Sequence, residues 1–243
     1  MPAKKKEETT KPKSIMVSRP KTLFYEILIR GLSDLVVNRF WNTKPIILKE
    51  TGQPPLPKVA RDLDYEYNMA FHIIDPFLPE ATVGKYGFPC SGFKGACVKI
   101  AAQALNDKMF GAAQIRRAFH VIGDLALLDF DEIIYLEEYP VAKPAGRVLS
   151  PRPSFYNWST KLYIRFTEGY ITPARVSNIL DHAGSNIGVG VLRPDKGGNN
   201  GMFEVAGMKT IRPTDVVTHR FTAEERERRR VSAIRPGSFK ISE

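Results

Sequence analysis

The sequence predicts an α+β protein, and three observations carry that reading. Residues 23–32, LFYEILIRGL, alternate with apolar side chains on both faces, as a strand in the middle of a sheet does. Two stretches place apolar residues at helical spacing behind a capping residue: Cys97, Ile100, Ala101, Ala104 and Leu105 after Ser91, and Val176, Ile179, Leu180 and Ala183 after Thr172 and Pro173. A second strand, 158–166, sends Trp158, Thr160, Leu162, Ile164 and Phe166 to one side and Lys161, Tyr163 and Arg165 to the other. With 243 residues and 43% hydrophobic content, the chain can bury a sizeable core as one unit carrying insertions.

Taken in order, residues 1–21 have almost no apolar content before Ile15 and read as a flexible basic arm. In the first strand Tyr25, Ile27 and Ile29 face one way and Phe24, Glu26, Leu28 and Arg30 the other, with Asp34 in the turn that follows. Residues 44–66, with Pro45, Pro54, Pro55 and Pro57, read as an irregular insertion. Ser91 is the expected N-cap of the first helix. Lys94 then lies in the first turn, where the helix dipole disfavours a cation unless an anion is held there; backbone amides and Lys94 together suit a phosphate, and a lysine reaching into water is the alternative.

Residues 124–138 are acidic, with Asp124, Asp129, Asp131, Glu132, Glu137 and Glu138, and Lys143, Arg147, Arg152, Lys161 and Arg165 follow before Glu168. About 132–156 reads as a second insertion. Phe155, Tyr156, Trp158 and Tyr163 interleave with the basic residues, the mixture that single-stranded nucleic acid uses, although Trp158 belongs to the core face. The second helix is expected to stop at Gly184 and run into a glycine-rich stretch, His182 to Val205, which holds six of the eighteen glycines. Ile187, Val189 and Val191, then Met202, Phe203 and Val205, read as two short strands joined through Arg193, Lys196, Gly197 and Gly198. A charged extension, 209–243, closes the chain, with Thr222 and Glu225 in capping-box spacing for a short helix.

The net charge of +10 is carried mainly by the ends. Residues 1–21 hold seven Lys/Arg against two acids and residues 209–243 nine against five, while the rest is nearly balanced. That distribution suits attraction to a polyanion, and solvated tails are the alternative. Without a run of about 18 apolar residues or an apolar leader, no membrane span or secretion is expected, and a cytoplasmic setting follows. Cys90 and Cys97 fit no disulfide or zinc pattern, and His72, His120, His182 and His219 are not at metal-ligand spacing, so neither metal nor cofactor is expected. No nucleophile motif is present.

The string PCSGFKGA, Pro89 to Ala96, resembles the proline, serine, hydrophobic, lysine, glycine string that opens the first helix in RAMP proteins, the repeat-associated RRM-like subunits of CRISPR effector complexes. The order of strand, lysine-glycine helix, strand, helix and glycine-rich loop agrees over about residues 22–206. Cys90 stands where the family often has glycine. Val98 and Lys99 stand near the place of the family's further arginine; either Lys99 replaces it or that contact is absent. The resemblance, which extends to a phage-encoded relative, implies a ferredoxin-like, RRM-like antiparallel sheet with packed helices, a glycine-rich C-terminal loop and inserted arms, in a core domain of 22–208.

It further implies a non-enzymatic protein that binds single-stranded RNA or DNA along the phosphates and assembles as a homo-oligomer or head-to-tail filament, acidic surface to basic surface. Expected contacts are Ser91, Lys94, Lys99, Lys161, Tyr163, Arg165, Arg193, Lys196, Gly197 and Gly198. Two other readings stand beside it. One is a RAMP-type endoribonuclease using Asp34 or His182. The other is a structural or assembly protein, of a phage for example and so in its host's cytoplasm, using the same surfaces for protein contacts.

Overall fold

The structure is a computed structural model, and it describes residues 20–39, 63–80, 82–103, 111–138, 141–142, 146–147 and 150–226. The basic arm, apart from Pro20 and Lys21, and the proline-rich insertion up to residue 62 lie outside the described residues. The elements are β1 (Thr22–Gly31), β2 (Leu35–Val36), α1 (Leu63–Met69), β3 (Gly87–Pro89), α2 (Cys90–Gln103), α3 (Ala112–Ala118), β4 (Phe119–Ile122), β5 (Leu125–Asp129), β6 (Glu132–Glu138), β7 (Val141–Ala142), β8 (Gly146–Arg147), β9 (Ser150–Tyr156), β10 (Ser159–Thr167), α4 (Pro173–Asn186) and β11 (Phe203–Thr210). Residues 63–66, read as irregular, begin α1 instead. Tyr67 fixes that helix by placing its ring 5.2 Å from Phe71 and 4.9 Å from Tyr135.

The main sheet runs β11-β1-β10-β5-β3, with β4 also paired to β10. β4 and β5 act as one interrupted strand: β4 pairs with the distal half of β10, Tyr163 to Phe166, and β5 with its start, Ser159 and Thr160. The chain path is therefore strand, helix, strand, strand, helix, strand, with the first and third strands central and all these neighbours antiparallel. That is the split β-α-β arrangement of ferredoxin-like folds. β6 and β9 form a hairpin that pairs with β2 as a separate three-stranded sheet, and β7 and β8 pair near its tip.

One face of the main sheet meets α2 and α4. Ile27 and Ile29 of β1, Leu162 and Ile164 of β10, Phe93, Cys97 and Ile100 of α2, and Val176, Ile179 and Leu180 of α4 are all buried in one cluster. Trp158 is 1% exposed and donates its indole N–H to Ser33 O at 2.8 Å, so the ring belongs to the core as the alternation predicts. Cys90 and Cys97 are both buried thiols, pushed up to about 12 chiefly by desolvation.

Two expectations about the second helix need correction. Thr172 caps it, accepting from Arg175 N at 3.3 Å, but Gly184 does not end it: α4 continues to Asn186. A Cβ at Gly184 would lie 1.9 Å from Phe203 O, so glycine is there to let the helix touch β11. The turn out of the helix comes at Gly188, φ +67°, whose N–H donates to Ala183 O at 2.9 Å. Nor do residues 187–205 form a hairpin. Val191 makes only an isolated bridge to Val36, and apart from a single 3-10 turn at Pro194–Lys196 residues 187–202 are irregular chain stitched by Val189 N to Gly201 O and Gly201 N to Asp34 O. With the edge of β1 as its partner, β11 lengthens to Thr210.

The chain beyond β11 crosses the other face of the sheet. Ile211 N donates to Phe24 O at 3.0 Å, Val217 lies in a hollow with Tyr163, and His219 bridges Leu125. Thr222 and Glu225 make the expected capping box, Thr222 N to Glu225 Oε2 at 2.7 Å and Glu225 N to Thr222 Oγ1 at 3.1 Å, around residues 223–226. Residues 211–226 are thus a strap over the sheet.

Candidate nucleic-acid interface

β3 feeds directly into α2, so the helix begins at Cys90 and Ser91 is its second residue rather than its cap. Cys90 N donates to Asp124 O at 3.0 Å, which ties the helix start to the β4–β5 turn. This join places the first turns of α2 opposite the loop after α4. Between them lies a cleft of about 500 Å³, lined by Gly92, Gly95 and Lys99 on one wall, Gly188, Gly190 and Arg193 on the other, with Asn38 and His72 also exposed to it.

Glycine lets both walls present backbone. No atom lies within 4 Å of a Cβ built at Gly95, so its surface is open. Gly190, φ +78°, sits where a Cβ would meet Val36 O at 2.4 Å, so the loop presses onto the end of β2.

The cations of the cleft are held by a carboxylate behind it. Asp195, its side chain 6% exposed, forms an ion pair with Lys99, and Arg193 lies 3.6 Å from its other oxygen. The hydrogen bond from Lys99, followed by the charges of Lys99, Arg193 and Lys196, keeps this carboxyl below its usual range although desolvation opposes it. Arg193 also donates to Gly190 O at 2.7 Å. Two cations against one carboxylate leave the cleft net positive, and exposed Lys196 lies just beyond, next to Gly197 in the left-handed conformation. In Gly198 the need is again steric, since a Cβ would meet Leu192 O at 1.8 Å.

The remaining predicted contacts are elsewhere. Lys94 turns inward: its ammonium donates to Ile115 O at 2.6 Å and Phe119 O at 2.5 Å and lies 3.6 Å from the centre of the Phe119 ring. Ile115 O is one of the terminal carbonyls of α3, so Lys94 caps that helix, and desolvation pushes its amine down to about 8. It is therefore not placed as the phosphate seat expected of it. Lys161 and Arg165 are exposed on the strap side of the sheet, away from the cleft. Tyr163, between them, is only 6% exposed, and its hydroxyl donates to Glu26 Oε2 at 3.2 Å.

Neither catalytic candidate lines the cleft. Asp34 accepts from Gly201 N through its backbone carbonyl at 2.7 Å, and exposed His182 lies on α4 with its carbonyl bonded to Asn186. Among the described residues, no group of three or more His, Cys, Asp or Glu could hold a metal ion, and no helix is long and apolar enough to cross a membrane. Sequence reasoning missed Asn38 and His72, which reach the cleft only through tertiary placement. Gly92 and Gly95 did leave a signal: two glycines three apart in a helix lower its propensity and share one face.

No family model matches the sequence, and no curated protein matches it. Among solved structures, a chain of "Cryo-EM structure of the Type III-B Cmr-beta bound to cognate target RNA" is similar at 10% identity and a TM-score of 0.48, covering 79% of this chain. This chain spans 61% of the length of that one. Cmr6 from Pyrococcus furiosus is similar at 13% identity and a TM-score of 0.36, over 78% of this chain and 100% of that one.

Proposed function

We propose that the cleft between α2 and the glycine loop binds the sugar-phosphate backbone of single-stranded nucleic acid without chemical turnover. The observation that carries this reading is the pairing of backbone-lined glycine walls with a net positive rim from Lys99 and Arg193. A phosphodiester chain needs close approach and unspecific positive charge, and glycine walls supply the first while the rim supplies the second. The PCSGFKGA string that carries the RAMP resemblance forms one of these walls. Lys196, Gly197 and Gly198 extend the path at the exposed end of the loop. Copies arranged head to tail along the strand complete the reading.

The test is fluorescence anisotropy of labelled oligouridine and oligothymidine with the full chain and a Gly95→Leu variant. Open space at Gly95 accepts the larger side chain without disturbing the helix, while the added bulk fills the cleft. The expected result is binding that weakens steeply with salt and falls tenfold or more in Gly95→Leu at unchanged melting temperature. In Lys196→Ala the salt slope should fall by about one. Equal affinity of wild type and Gly95→Leu would overturn the assignment, and cut RNA on a denaturing gel would overturn the non-enzymatic part. A difference between the two oligonucleotides identifies the natural strand.

A further inference from the structure

We infer that a second site, independent of the cleft and on the opposite face of the sheet, binds the phosphate of a nucleotide between β4, β10 and the strap. A pocket of about 400 Å³ lies there, lined by Phe24, His120, Gly123, Arg165 and, from the strap, Pro213 and Arg220, together with neighbouring valine and isoleucine residues. This volume is in the range of about 300–1,000 Å³ that small-molecule sites occupy. Sheet register explains the cluster. Arg165 is the ladder partner of Phe24 on one side and of His120 on the other, so the three stand in one row across β1, β10 and β4.

Charge is the second argument. The lining contains two guanidinium groups and no carboxylate. Along the same strap Arg212 holds Asp215 and Arg226 holds Asp124, both at 3.1 Å, whereas neither Arg165 nor Arg220 has a carboxylate partner among the described residues. Two unpaired guanidinium groups at one concavity match a phosphate's oxygens, which arginine engages through paired N–H donors. Burial and the Arg165 charge hold the His120 imidazole below its usual range, so near neutrality it acts as a hydrogen-bonding group beside the anion. Phe24 offers an apolar wall for the attached base.

The strap must be docked for the pocket to exist, because Arg220 and Pro213 come from it. Asp124 docks it, accepting from Phe221 N at 2.8 Å and from Arg226 at 3.1 Å, while the Thr218 hydroxyl reaches Leu125 O at 3.3 Å. Gly123, φ +101°, admits that contact: a Cβ there would meet Thr218 Oγ1 at 1.9 Å. Ligand binding and strap docking are consequently linked, each favouring the other.

The test uses the full chain, its Arg165→Gln, Arg220→Gln and Asp124→Ala variants, and three probes: uridine monophosphate, a terminally phosphorylated oligouridine and the same oligouridine without that phosphate. Calorimetry should show mononucleotide binding that weakens tenfold or more in both arginine variants, whose side chains are exposed and whose folding should be normal by thermal melting. Asp124→Ala should weaken it similarly and hasten proteolysis of the strap; Gly95→Leu should leave it unchanged. A preference for the phosphorylated oligonucleotide that disappears in Arg220→Gln assigns the site to a strand end, and mononucleotide binding without such a preference assigns it to a small nucleotide. If no phosphate probe responds to Arg165→Gln or Arg220→Gln, the inference fails even where the cleft binds nucleic acid.

Discussion

Replacing Gly184 by alanine tests whether α4 is seated on β11 as closely as the structure shows. A glycine within an exposed helix is a weak point, and alanine there would stabilise by up to about 1 kcal/mol. Here the new methyl group would lie 1.9 Å from Phe203 O, 2.7 Å from Phe203 C and 2.8 Å from Phe203 Cδ2. The obstacle is backbone that cannot yield alone. Phe203 pairs with Gly31 in the sheet, and Val205 N is held by Asp181 of the same helix at 2.7 Å. Relief requires α4 to rise by more than an ångström from β11, at the upper end of the roughly 1–3 kcal/mol that overpacking costs. Subtracting the helix-propensity gain leaves a net loss of about 2 kcal/mol, or a fall of roughly 4–8 °C in melting temperature for a chain of this size. Urea and thermal unfolding of the wild type and Gly184→Ala measure it directly. A variant as stable as the wild type, or more stable, would refute the close seating and return Gly184 to the role of a helix stop.

Lys94→Met should cost about 2 kcal/mol, because it leaves the Ile115 and Phe119 carbonyls without their donor, and should leave salt-dependent oligonucleotide affinity unaltered. The same lysine predicts a pH effect. Its folded amine loses its proton near 8 whereas the unfolded one keeps it to about 10.4, so the unfolded state binds more protons between those values. The Lys94 contribution to stability therefore rises with pH across that window, and urea midpoints at pH 7.5 and 9.5 should show this rise in wild type relative to Lys94→Met. Asp195 works in the opposite pH range: its depressed carboxyl contributes stability above the ordinary aspartate value of about 3.9, lost as pH falls through its lower folded value. Asp195→Asn should lack that acid step and, at neutral pH, should expose Lys196 to faster tryptic cleavage.

What the sequence showed about the fold came from periodicity. Alternation in β1 and β10 and the apolar stripes of α2 and α4 identify the elements that make the core, because each buries one face against the others. The glycine stretch was legible as special chain but not as a shape. Its glycines answer to contacts with Val36, Leu192 and Phe203, which lie far along the chain or depend on how the loop folds back, and no local pattern distinguishes those needs from a hairpin. Lys94 was misplaced for a similar reason. With α2 starting at Cys90 it falls just beyond the first turn, and its partners are carbonyls at the end of α3, a helix that composition alone does not announce.

The strap changes how the sheet can be used. In a sheet with helices on one side, the other face is the natural platform on which bases stack, and Lys161, Tyr163 and Arg165 are the side chains this chain directs there. Residues 211–221 cross that platform, and Tyr163 is left 6% exposed with its hydroxyl on Glu26, so it cannot offer a ring face to a passing strand while the strap stays docked. Positive charge remains at the margins, where Arg165 and Arg220 line one hollow and Lys161 and Lys209 another. On the proposed reading a long single strand runs in the glycine-walled cleft on the helix side, and the sheet side keeps two hollows beside the strap, one around Arg165 and Arg220 and one around Tyr163 and Lys161. Removing the strap should have opposite effects on these two places: the pocket is lost with Arg220, and the uncovered Tyr163 gains the access that stacking requires.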